Sequence, residues 1–151
     1  MADYYTSRFG DITVRDDEVV FFPEGLLGFG NRKEYALLED PVQDPFLWLQ
    51  SLEDPNLAFV LVDPLCFFPD YQARVPKEDV ALLKLEDSSE ARIFVLVVVS
   101  SDPSKITANL KGPLVVNPNK RMGKQMVLMD QQYGTQHVLL EQLSEREKTE
   151  C

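Results

Sequence analysis

The sequence predicts a mainly β protein, a single-domain, antiparallel β-barrel-like fold with one or two short helices. Three observations lead there. At 151 residues, one core is the default, because two would each bury too little surface to be stable. Ten prolines and seven glycines punctuate β-branched and aromatic stretches along the chain. Two runs, AFVLV at 58–62 and IFVLVVV at 93–99, are apolar throughout, as expected of strands covered on both faces.

Taken in order, the candidate strands are Thr6 to Phe9, Ile12 to Val14, Val19 to Phe22, Tyr35 to Leu38, Phe46 to Leu52 and Ala58 to Val62, followed by Ile93 to Ser100, Ile106 to Leu110, Leu114 to Asn117 and Gln125 to Met129. In Phe46 to Leu52 the alternation places Phe46, Trp48 and Leu52 on one face and Leu47 and Leu49 on the other, so that strand also has apolar contacts on both sides. Only Lys77 to Lys84 reads as a helix. Pro76 stands near its start, Glu78 and Asp79 suit the positive end of the dipole, and Val80, Leu82 and Leu83 give an apolar side. Asp102-Pro103 could also open a helix, but the Ile-Thr that follows favours a strand, so a turn is expected. Asp-Pro recurs at 40–41, 44–45, 54–55 and 63–64, where Asp bonds nearby backbone and Pro fixes φ, and the irregular spacing excludes a repeat protein. Residues 1–140 form the expected barrel domain, and 141–151 a charged C-terminal tail with little to bury.

Composition narrows the function. With 44% hydrophobic residues the chain can offset its conformational entropy, so disorder is excluded for most of it. The longest apolar run, Ile93 to Val99, falls far short of the ~20 residues a membrane helix needs. MADYYTSRFGDI has neither a basic start nor an apolar h-region, so a cytoplasmic protein without membrane association is expected. In that compartment Cys66 and Cys151 are expected as free thiols.

Fifteen basic against 25 acidic side chains leave a net charge of −10. Residues 1–91 carry 19 acids and 7 bases, whereas 92–130 carry 2 acids and 6 bases. Phosphate backbones are repelled by such a surface, so no direct nucleic-acid binding is expected. The charge either serves solubility or draws in a basic partner protein.

The usual catalytic signatures are missing. His137 sits in GTQHVLL with no nucleophile nearby, and no GxSxG elbow occurs. No ligand spacing joins Cys66, Cys151 and His137 into a metal site. Gly28-Phe29-Gly30 begins a dinucleotide fingerprint, but Lys33 stands where its third glycine belongs. Neighbouring carboxylates such as Asp16-Asp17, Glu53-Asp54 and Glu86-Asp87 read as solvated loop tips. FFPDY, Phe67 to Tyr71, either packs its three rings or presents Phe68 and Tyr71 to a partner. Lys120, Arg121 and Lys124 make a basic hairpin tip, with a phosphate-binding edge as the alternative.

FFPEGLLGF (21–29), PFLWLQSLEDPNLAFVLVDP (45–64), FFPDY, PKEDVALL and ITANLKGPLVVNPNKRMGKQMVL (106–128), in this order, resemble the FliW family of bacterial flagellar assembly factors, with coverage from about Thr6 to His137. The resemblance implies a β-barrel-like domain without enzymatic activity or cofactor. It also implies a translation regulator that binds the RNA-binding repressor CsrA, antagonises its hold on flagellin mRNA, and is itself sequestered by flagellin. In the family picture the repressor is engaged away from its RNA groove, and the protein is a monomer when free. Lys111-Gly112 departs from the small apolar pair expected there. Chemistry assigns Glu53, Asp54, Phe68, Asp70 and Tyr71 to the protein-binding surface facing the repressor. The rival functions are a flagellin export chaperone only, an RNA-binding barrel, and a cofactor-binding split-barrel flavoprotein.

Overall fold

The computed structural model describes residues 1–39, 42 and 45–139. Strands β1 (Ala2–Thr6) and β2 (Gly10–Val14) form a separate antiparallel hairpin. It docks through its turn, where Phe9 meets Trp48 edge to face at 5.4 Å, Arg8 lies over the same indole, and the Ser7 N–H donates to the Pro55 carbonyl. The following strands β3 (Val19–Phe21), β4 (Glu34–Glu39), β5 (Phe46–Ser51), β6 (Ala58–Val62) and β7 (Arg92–Val98) pair antiparallel, each with the next. The hairpin of β9 (Leu114–Asn117) and β10 (Met122–Gln125) closes the sheet, β9 pairing with β7 and β10 with β3. Seven strands thus form a closed barrel. Its one parallel contact is short, Met122 opposite Phe21, helped by the Phe21 N–H donating to the Arg121 carbonyl at 2.9 Å.

β7 holds the architecture together because one of its edges serves two neighbours. Arg92, Ile93 and Phe94 pair with β9, whereas Val97 and Val98 pair with β8 (Thr107–Ala108), beyond which lies β11 (His137–Val138). The apolar run that the sequence shows there follows from the position. Phe94 and Leu96 point into the barrel with Leu61, Leu49, Tyr35 and Phe22. Ile93, Val95 and Val97 point outward, against Val62, Phe67, Tyr71, Ala108 and Leu139. Both faces are covered, so strict alternation of apolar and polar residues is lost.

Helix α1 (Lys77–Leu82) starts after Pro76, which cannot donate a backbone hydrogen bond, and carries Glu78 and Asp79 in its first turn. It ends where Lys84 adopts φ of 56°, the left-handed conformation that stops helices. The carbonyls exposed there are met from another element: Asn117 Nδ2 donates to Leu83 O at 2.7 Å and to Lys84 O at 3.3 Å. Leu83 and Leu85 then bury against Val115 and Met126, fixing the helix to the β9–β10 hairpin.

Several expectations change. The strand expected over Thr6 to Phe9 is corrected: residues 7–9 are the turn of a hairpin whose first strand precedes it at Ala2–Thr6, and the second strand begins earlier than expected, at Gly10. The strand expected over Gln125 to Met129 is β10, displaced to Met122–Gln125. Gly123 and Lys124 hide it, since glycine has low strand propensity, yet Phe22 requires that glycine. Asp102-Pro103 opens a 3-10 turn, Pro103–Lys105, with Asp102 accepting from the Ser104 N–H, so the helical alternative holds in its shorter form. Asp63-Pro64 does the same for Pro64–Cys66. Cys66 is disulfide-bonded, contrary to the free thiol expected. It ends that surface turn only half-buried, so its aromatic neighbours do not seal it off. Cys151, the tail and the Asp-Pro pairs at 40–41 and 44–45 fall wholly or partly outside the described residues.

Gly123 yields a direct test. A Cβ there would lie 2.5 Å from Cε2 of Phe22, a fully buried ring with no room to withdraw. Gly123→Ala is therefore expected to destabilise by about 1–3 kcal/mol in urea titration. Gly112→Ala would meet the amide ends of Gln125 and Asn109 at 2.9 and 3.2 Å, and both are held by hydrogen bonds, so it too should destabilise.

Candidate functional site

The five residues singled out for partner binding fall into two groups at opposite ends of β6. Glu53 and Asp54 lie in the turn before it, and Phe68, Asp70 and Tyr71 in the connection after it. Strand rise over the intervening residues separates them by roughly 20 Å.

In the turn, both carboxylates build structure. Glu53 Oε1 accepts the Lys33 N–H at 2.7 Å and the Glu34 N–H at 2.8 Å, and these two bonds hold its pKa below the usual carboxylate range. Asp54 accepts the Asn56 N–H and lies 3.8 Å from the Arg32 guanidinium. Ser51 Oγ accepts the N–H groups of both.

At the other end, the aromatic residues of FFPDY mainly pack. Phe67 stacks on Phe46, with ring centroids 5.8 Å apart. Tyr71 is buried, its hydroxyl donates to the Leu110 carbonyl at 2.7 Å, and burial pushes its phenol pKa up. Phe68 is half-buried, edge-on to His137, while Asp70 is exposed. The loop therefore offers solvent one carboxylate and part of one ring, on a base fixed by Tyr71. His137 is a structural acceptor: its Nε2 takes the Gly134 N–H at 2.8 Å.

Two features escaped the sequence. Asp79, read there as a dipole-favourable helix residue, is buried and bonded to Lys124 Nζ at 2.6 Å. This bond, across 45 residues of sequence, raises the Lys124 pKa and ties α1 to β10. It also removes Lys124 from the basic tip, while Arg121 donates to the Asp16 carbonyl, so two of the three expected phosphate ligands are committed internally. The second feature is the open end of the barrel, a cavity of about 810 Å³ floored by core residues such as Val20 and Phe94. Two of its arginines are matched by acids, Arg15 with Asp17 and Glu18, and Arg92 with Glu39, while Arg121 donates to the Asp16 carbonyl. Among the described residues, no group of three or more His, Cys, Asp or Glu could hold a metal ion, and no helix is long and apolar enough to cross a membrane.

The family model for the FliW protein matches residues 3–139, spanning the barrel and its outer layer. The chain belongs to the FliW family. A flagellar assembly factor FliW of Natranaerobius thermophilus is 46% identical over 133 residues, covering 87% of this chain and 88% of that protein. That of Bdellovibrio bacteriovorus is 41% identical over 141 residues, covering 93% and 81%. A crystal structure of the flagellar assembly factor FliW superposes with a TM-score of 0.84 at 33% identity, over 91% of this chain and 96% of that one. The closed barrel described above is thus the FliW fold, and the chain is a flagellar assembly factor by family.

The Asp79–Lys124 bond sets a pH dependence in this FliW member. A lysine whose pKa is raised by folding stabilises the native state below its unfolded value, and that contribution is lost as pH rises through the folded one. The loss begins near 10.5, the ordinary lysine value. Tyr35, pushed up to about 12 chiefly by burial, weakens the fold over the same alkaline range, because the unfolded phenol ionises first. Comparison with Asp79→Asn isolates the lysine. This variant should lose about 1–3 kcal/mol at pH 8, and the gap to the natural protein should narrow towards pH 11 in urea titrations.

Proposed function

We propose that this flagellar assembly factor acts by exchanging protein partners in the cytoplasm, without catalysis or a cofactor of its own. It binds the RNA-binding translational repressor CsrA and relieves repression of flagellin mRNA. Flagellin sequesters it in turn, so that free flagellin limits its own synthesis. Membership of the FliW family supports this, and the observation that carries it is the net charge of −10. An RNA-binding repressor must carry a positive surface, and an acidic barrel is drawn to that surface while opposing RNA phosphates on the same complex.

Within the proposal, Asp70 and the exposed part of Phe68 meet the repressor directly, and Tyr71 holds their loop from beneath. Glu53 and Asp54 extend the acidic field from the other end of β6. Complexes should form with the protein as a monomer.

Size exclusion of the purified chain with CsrA, with flagellin and with both tests the exchange. Two mutually exclusive complexes are expected, and a stable ternary assembly would contradict sequestration. Asp70→Lys with Glu53→Lys should weaken CsrA binding about tenfold at low salt by calorimetry, and less as salt screens the field. Melting curves must accompany the double variant, since Glu53 also holds two backbone N–H groups. Undiminished affinity at low salt would remove these residues from the interface.

A further inference from the structure

Beyond Gln125 the chain stays extended and bonds on one side only. The Met126 N–H donates to the Pro113 carbonyl and the Leu128 N–H to the Lys111 carbonyl, both at 2.8 Å. Neither bond is returned. Pro113 has no N–H, and the Lys111 N–H donates instead to Gly134 O and Asn109 Oδ1. In such a ladder the N–H groups of Val127 and Met129 point to the opposite edge, where among the described residues they meet no hydrogen-bond acceptor. An edge of this kind is usually guarded by lysine, proline or a bulge. Here it is bordered by exposed apolar side chains, Val127 at 52%, Met129 at 88% and Leu27 at 61% of their full accessibility.

A groove of about 690 Å³ runs along this edge, and Gln72, Arg74 and Pro76 form its other wall. That wall continues directly from Tyr71, so the groove adjoins the loop assigned above to the partner. Neither 72–76 nor 126–130 is helical, and at strand rise six residue steps from Lys124 to Asp130 span roughly 20 Å, enough for a short added strand. The charges select the occupant. Lys124 bonds Asp79 at 2.6 Å and lies 4.0 Å from Glu24, so the groove's three acids, Glu24, Asp79 and Asp130, exceed its two bases, Lys124 and Arg74, by one charge. Asp130 is held ionised by the Gln132 N–H and side-chain amide. A second copy of the chain would bring another net charge of −10, which disfavours it.

We infer that the open edge at Val127 and Met129, walled by Gln72 to Pro76, takes up an extended, basic, alternately apolar segment of a partner protein as an added β-strand. Main-chain bonds to the two free N–H groups supply affinity, and the apolar border with its acidic ends supplies selection. This rests on the protein-partner function proposed above.

The test uses the full chain with CsrA and, separately, with flagellin. Amide exchange at Val127 and Met129 should slow about tenfold or more in a complex, with the barrel amides less affected. Val127→Pro removes an outward N–H that the fold does not use, and should weaken that complex about tenfold, whereas Val127→Thr keeps the N–H and should bind nearly as the natural chain does. Unchanged melting of Val127→Pro separates lost binding from lost fold; if it melts lower, the Met129 amide of the natural chain decides alone. A partner that binds while both amides stay unprotected overturns the groove and leaves the proposed function standing. Binding of neither protein overturns both, and a homodimer that protects these amides overturns the choice of occupant.

Discussion

The structure depends on β7 having to satisfy three neighbours and two cores. Along one edge it meets β6; along the other its first half closes the barrel against β9 and its second half carries β8 and β11. No polar side chain could occupy the central positions without burial on one face or the other, and an unpaired buried polar group is costly. The outer layer exists because this strand extends past the barrel. That layer anchors Phe67 and Tyr71, and hence the loop and groove wall that follow them.

A second constraint acts at the β9–β10 hairpin, which is held from three sides. Phe22 presses on Gly123, Asn117 closes the end of α1, and Lys124 bonds Asp79 on that helix. The adjacent residues Gly123 and Lys124, on opposite faces of the strand, thus bind the hairpin to the barrel and to the helix. Past Gln125, Pro113 ends the two-way ladder, and the chain keeps an extended shape with one edge unused. The same proline that limits the sheet leaves the edge available to another polypeptide.

Much of the barrel was legible because its strands are apolar or alternate cleanly. Ala58–Val62 and Leu114–Asn117 were bounded correctly from their residues, as was the start of α1 at Lys77. β10 was not, because Gly123 answers to Phe22, a residue 101 positions away, and no local pattern reports that contact. β11 has two residues and depends wholly on β8. The candidate site was less legible still. Tyr71 was recognisable as a ring that must pack or bind, but only the Leu110 carbonyl shows which way it points. Asp79 resembles any acid in a first helical turn until Lys124 is placed beside it. Charge, by contrast, is read from the residues alone, and a balance of −10 leaves open whether it serves solubility or draws in a basic partner protein.

The shared edge of β7 is best examined by native-state hydrogen exchange along β6, β7 and β9 as denaturant is raised. If β7 joins barrel and outer layer into one unit, the amides of Val62, Val95 and Val115 will exchange only through global unfolding, at one common opening free energy. Opening of Val115 at lower free energy while Val62 and Val95 stay protected would mean that the β9–β10 hairpin lifts away by itself, and the barrel would not be closed through β7 as described.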